Sequence, residues 1–138
     1  MNRRAAIREY KLSHRPMGVF QIRNTFDDRV FIDSSTNVPG KINRHRFQLN
    51  AGMHPSRTLQ SDWDRLGKEA FAFEDLETLE AREDIAYDYA ADLRTLEGVW
   101  LEKLEPFGEK GYNEKKLTRD ERLRKIANDR RENALRSE

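Results

Sequence analysis

Met17-Gly18-Val19-Phe20-Gln21-Ile22-Arg23-Asn24 is the stretch on which the fold turns. Apolar and polar residues alternate along it, the pattern of a strand with one face buried. Phe26-Asp27-Asp28-Arg29 reads as a turn, and Val30-Phe31-Ile32 opens a second strand. Strands this close in sequence pair antiparallel as a hairpin. Residues 33–39, rich in Ser, Thr, Asn and Pro, read as a loop.

Working outward, residues 40–49 suit a helix with Ile42, Phe47 and Leu49 as candidate buried contacts. Lys41, Arg44, His45 and Gln48 share a helix face by three- and four-residue spacing. Ser56 is a natural N-cap for a helix carrying Leu59, Trp63 and Leu66, and Gly67 stops it. Residues 70–76 suggest a third strand, and residues 77–88 an acidic connection with some helical character. Tyr89, Leu93, Leu96, Trp100 and Leu104 form an apolar stripe on the best-defined helix, at 89–104. Upstream of the hairpin, residues 3–11 suit a short helix. Downstream, residues 117–136 are polar, with Leu123, Ile126 and Leu135 spread too thinly for a firm stripe. The expected fold class is α+β: a small three-stranded antiparallel sheet flanked by helices. A helical N-terminal extension (1–15) and a charged, helical C-terminal tail (114–138) flank the domain at 16–113.

Composition sets the limits. The chain has 138 residues, 36% apolar and 37% charged, enough for one modest core. No run approaches the roughly 20 apolar residues of a membrane span, so no membrane partner is expected. Residues 1–10 carry charge but no apolar leader segment, and there is no cysteine. Disulfides and thiolate zinc sites are excluded, and a cytoplasmic protein is the simplest expectation. The net charge of +1 conceals an asymmetry: basic before about residue 57, acidic from 74 to 105, basic again after 113. The basic faces suit phosphates. The acidic region and the tail offer surfaces to a protein partner.

Five elements together resemble the GIY-YIG nucleases. Gly18-Val19-Phe20-Gln21-Ile22-Arg23-Asn24 is similar to the family's first strand, GIY-x-I-x-N. Val30-Phe31-Ile32-Asp33-Ser34-Ser35 is similar to its YIG-S-S element. Asn43-Arg44-His45-Arg46-Phe47-Gln48-Leu49 resembles the basic helix that follows. Trp100 sits as in the family's Glu-bearing helix, and Gly111-Tyr112-Asn113 resembles its closing turn. The match spans roughly residues 17–113. More narrowly, the chain is similar to the bacterial LuxR-like group of these domains.

The resemblance implies a three-stranded antiparallel sheet with helices around it, and DNA hydrolysis with one divalent metal, magnesium or manganese. In active members a motif tyrosine helps deprotonate water, an arginine steadies the phosphate, a glutamate holds the metal and an asparagine supports the site. Carried onto this sequence, the positions are Phe20 and Phe31 for the tyrosines, Lys41 for the arginine, His45 for a helix histidine, Glu97 for the metal ligand and Asn113 for the asparagine. Both phenolic hydroxyls are therefore lost. Lys41 keeps the charge without the planar fork. Asp33 replaces the motif glycine, where a carboxylate would strain the backbone, repel phosphate or bind metal. Lys41, Arg44, Arg46 and Arg57 are the expected nucleic-acid contacts, with DNA the expected ligand and RNA a second option. His14 and His54 show no ligand spacing with acids. The expectation is a nucleic-acid-binding domain with weak or lost endonuclease activity, its site residues meeting in one cleft. If the metal chemistry is lost, no cofactor is needed. The alternative is a non-catalytic scaffold for protein interactions or regulation.

Overall fold

The computed structural model describes residues 2–6, 15–84, 86–115 and 118–136. The strands β1 (Met17–Asn24) and β2 (Val30–Ser35) are followed by helices α1 (Val38–Asn50) and α2 (Arg57–Leu66). Strand β3 (Phe71–Leu79) and helices α3 (Ala90–Leu104) and α4 (Arg119–Arg136) complete the order. The sheet order is β2-β1-β3, antiparallel throughout, so the strand quoted at the outset is the central one. The α+β expectation holds.

Gly18 is fixed by close approach: a Cβ there would lie 2.0 Å from the carbonyl oxygen of Glu77 on β3. Alternation divides the side chains between two layers. Ile22 packs with Leu49 of α1 and with Leu59 and Trp63 of α2, and Phe31 and Phe73 join them. Val19, Val30 and Ile32 point the other way and meet Leu96, Trp100 and Leu101 of α3. Each such side chain, fully buried, stabilises by roughly 1.5–3 kcal/mol before the entropy of ordering it.

Local chemistry sets the boundaries. Asn37 caps α1 by accepting the Gly40 N–H at 3.2 Å, so that helix starts at Val38, earlier than the turn-rich sequence suggested. Ser56 caps α2, which ends at Gly67 with a positive φ of 88°. Strand β3 runs on to Leu79, so residues 77–79 are ladder and not helical. Phe47 is 68% exposed: the buried face of α1 carries Val38, His45 and Leu49, and Phe47 lies on the other side. Leu104, at the end of the α3 stripe, is also exposed. Helix α4 buries none of its residues. No helix among the described residues is long and apolar enough to cross a membrane. Of the expected N-terminal helix, residues 3–6 are helical. The rest of it, and His14, lie outside the described residues.

Candidate functional site

The hairpin and α1 bring Phe20, Phe31, Asp33, Lys41 and His45 together. Phe20 and Asp33 are direct cross-strand partners, and Phe31 lies opposite Ile22 on the same face. The His45 ring sits edge-on to Phe20 and Phe31, with centroids 5.8 and 5.5 Å away. His45 Nε2 lies 2.7 Å from Asp33 Oδ2, and Lys41 Nζ approaches the same oxygen at 3.7 Å. Asp33 sits in an ordinary strand conformation, so the expected backbone strain is absent; among the described residues, positive φ at non-glycine positions is confined to Asp28 and Glu105.

The chain of contacts continues into a residue that spacing did not reveal. His45 Nδ1 is 2.8 Å from His54 Nε2, and the Ser56 amide donates to His54 Nδ1 at 3.0 Å. These bonds assign the protons. A backbone N–H can only donate, so His54 Nδ1 must accept and its proton resides on Nε2. That proton is donated to His45 Nδ1, which leaves the His45 proton on Nε2, donated to Asp33. Both rings are neutral in this arrangement. Burial, with His45 alongside, lowers His54 from 6.5 to about 4. Burial works to raise Asp33, but its hydrogen bonds with His45 and the Ser34 amide, with Lys41 nearby, outweigh it and hold the carboxyl below its ordinary value. His54 is held in turn by Gln60, which accepts its N–H at 3.0 Å and donates to the Leu49 carbonyl at 2.9 Å. The signal for His54 was the return of the chain after α1: a two-residue turn at Ala51-Gly52, then His54 just ahead of the Ser56 cap.

A second buried cluster anchors the closing turn. Tyr112 donates to Asp62 at 2.7 Å and accepts from Asn24 at 3.0 Å. Asp62 also bonds Arg29 and, at 3.0 Å, Arg65. Burial is the largest influence on Tyr112, which is pushed up to about 12. Gly111 is needed here, since a Cβ would meet Pro106 at 2.4 Å. Among the described residues, no buried side-chain nitrogen or oxygen lacks a partner.

The remaining candidates make other contacts. Both polar atoms of the Asn113 amide are engaged by the backbone of one residue: Oδ1 accepts from Ile32 N at 2.8 Å and Nδ2 donates to Ile32 O at 2.9 Å. Asn113 thus pins the closing turn to the edge strand β2. Glu97 is half-buried on α3, the helix that covers the Val19 and Ile32 face. Strand β2 therefore runs between two groups, with Phe31 and Asp33 directed to one side and Ile32 to the other. Arg44 is exposed on α1, and Arg46 lies over the Phe73 ring at 4.4 Å. Arg57 is exposed at the first turn of α2. No group of three or more His, Cys, Asp or Glu among the described residues could hold a metal ion.

No family model matches the sequence, and no curated protein does. Solved structures do. The chain is similar to the catalytic domain of the homing endonuclease I-TevI, at 27% identity and a TM-score of 0.60, covering 72% of this chain and 99% of that one. A glutamate-to-alanine mutant of the same catalytic domain matches at 24% identity and a TM-score of 0.61, covering 75% and 97%. I-TevI is a GIY-YIG homing endonuclease, and the likeness over nearly the whole of its catalytic domain supports the GIY-YIG superfamily for this chain.

Proposed function

We propose that the chain is a DNA-binding domain of the GIY-YIG type whose metal-dependent endonuclease activity is weak or lost. Its motif residues place it nearest the bacterial LuxR-like group. The support for the fold-level part is the likeness to an endonuclease catalytic domain, a protein that acts on DNA. One observation carries the reading of the chemistry: the acid–base groups beside Phe20 and Phe31 are bonded to one another. Both His45 nitrogens are engaged, His54 is lowered to about 4, and Asp33 accepts from His45 and Ser34. A group whose lone pairs and protons are already committed is a poor proton acceptor for an attacking water. The phenyl rings offer no hydroxyl instead.

The metal implied by the fold has a narrow fit. Magnesium keeps several waters and takes one or two carboxylates plus substrate phosphate, so it needs no closed protein cage. Glu97 is the one carboxylate in the motif position to hold it. When bound, the ion would acidify a water and offset phosphate charge. Lys41 would still attract phosphate as a point charge, although Asp33 partly neutralises it. Loss of acid–base help alone costs about 10²–10⁴-fold in rate.

The test uses supercoiled plasmid with Mg²⁺ or Mn²⁺ and duplex DNA in a salt series. Wild type is expected to bind with a steep salt dependence and to nick slowly or not at all. Any nicking is expected to vanish in Glu97→Ala and to rise in Phe20→Tyr/Phe31→Tyr. Failure to bind duplex DNA at low salt defeats the proposal. Fast wild-type cleavage defeats the claim of a weakened site.

A further inference from the structure

A large concavity opens beside the closing turn, and neither Lys41 nor Asp33 lines it. It is an open cleft of about 840 Å³ between the start of α2, the turn at 107–115 and the first turns of α4. Arg57, Lys115, Arg122 and Lys125 line it, against a single carboxylate, Glu114. All four cations are exposed, and none forms an ion pair among the described residues. Several cations elsewhere are neutralised by contrast: Arg23 by Glu74, Arg29 and Arg65 by Asp62, Lys41 by Asp33. Concentrating four unpaired cations in one concavity raises the local potential and costs self-repulsion, which a polyanion would relieve.

Two features give the cleft a built shape. Helix α4 opens with Thr118 as its cap, the hydroxyl accepting the Glu121 N–H at 3.2 Å and donating to the Glu121 carboxylate at 3.2 Å. The α2 side is set by Ser56, which donates to the Tyr112 carbonyl at 2.8 Å and joins α2 to the closing turn. Ser56 is also the last member of the Asp33–His45–His54 chain. The cleft and that cluster therefore share a wall, and a strand lying in one leads toward the other.

We propose that this cleft binds the sugar–phosphate backbone of duplex DNA beside the site, with Arg57, Lys115, Arg122 and Lys125 as phosphate contacts. The inference rests on the reading of the chain as a DNA-binding domain. It assigns the first part of the charged tail to the DNA interface. It also adds a second binding surface to the one carried by α1.

The test is fluorescence anisotropy on a short duplex across a salt series. Each neutralised phosphate contact contributes about 0.9 to the slope of log K against log salt. Lys115→Gln/Arg122→Gln/Lys125→Gln is expected to flatten the slope by roughly 2–3 and to weaken binding on the order of 100-fold near 0.15 M salt. Arg130→Gln/Arg131→Gln, farther along α4, controls for net charge and is expected to change the slope far less. Helix content and melting temperature should stay as in wild type, because α4 buries nothing. If wild type binds and the triple variant keeps its slope, or the distal pair flattens it equally, the cleft assignment falls while the DNA-binding reading stands. If wild type does not bind the duplex at all, both fall.

Discussion

Lowering the pH from 7 to 4 should destabilise this fold through His54, and the size of the effect follows from its surroundings. His54 is 3% exposed, and its folded value is about 4 against an ordinary 6.5. The unfolded chain therefore takes up a proton near pH 6.5, whereas the folded chain resists it until about pH 4. Stability from this group is complete above 6.5, declines as pH falls across that window, and is gone below the folded value. At ~1.4 kcal/mol per pH unit the difference amounts to roughly 3 kcal/mol. Geometry gives the same sign: Ser56 already donates to Nδ1, so a second proton on the ring breaks that bond. Asp33, lowered by its bonds with His45 and Ser34, loses its contribution in the same direction at still lower pH, below 3.8. The assay is urea denaturation at half-unit steps from pH 7 to pH 4, with His54→Gln beside wild type. Wild type should lose roughly 3 kcal/mol more than the variant over the window. A wild-type curve flat between pH 6.5 and 4.5, or an equal loss in His54→Gln, would refute the proton assignment.

Tyr112→Phe removes a hydroxyl shared by Asp62 and Asn24 and should cost about 1–3 kcal/mol in denaturant melts. In the wild type, the near-ultraviolet absorbance of Tyr112 should show no ionisation until pH approaches 12. Asn113→Ala deletes two bonds to Ile32 and should cost about 1–3 kcal/mol. The Ile32 amide should then exchange with solvent faster, which hydrogen exchange reads directly. Gly18→Ala should be among the most damaging single changes, more than about 2 kcal/mol, because the new methyl meets the Glu77 carbonyl. Soluble yield and melting temperature both report it.

Local pattern carried much of this fold. The strand at β1, the Ser56 cap and the Gly67 stop are each written in a few adjacent residues, and each holds in the structure, although β1 is buried on both faces from Met17 to Phe20 and not on one, because it is the central strand, and the α3 stripe is packed only as far as Trp100 and Leu101. What local pattern could not supply was pairing between distant polar groups. Asp62 and Tyr112 are 50 residues apart, and neither has a neighbour in sequence that hints at the other. The motif position of Asn113 does not announce its bonds to an edge strand 81 residues back. The two-layer packing was also hidden. Periodicity shows that α3 has an apolar face without saying which side of a sheet receives it, and that choice determines how Glu97 stands to Lys41. Residues 77–79, the start of the acidic connection, form strand and not helix because cross-strand pairing with Met17, Gly18 and Val19 overrides local preference.

Phe20, Phe31 and Asp33 form one linked set around His45. They share a face of the hairpin, and His45 touches all three. A tyrosine hydroxyl at either ring position could accept from His45 Nε2; two phenyl rings cannot. Asp33 supplies the missing acceptor at 2.7 Å and keeps the buried ring paired. On this argument Asp33→Gly in the native background leaves a buried N–H without its acceptor and costs about 1–3 kcal/mol. In the Phe20→Tyr/Phe31→Tyr background the same change should cost less, because a phenolic oxygen supplies another acceptor beside His45. The difference between the two costs is a coupling energy, expected near 1 kcal/mol or more for groups in direct contact. Denaturation of the four proteins in the cycle measures it. Additive costs would mean that Asp33 does not stand in for the hydroxyls, and its bond with His45 would then need a different origin.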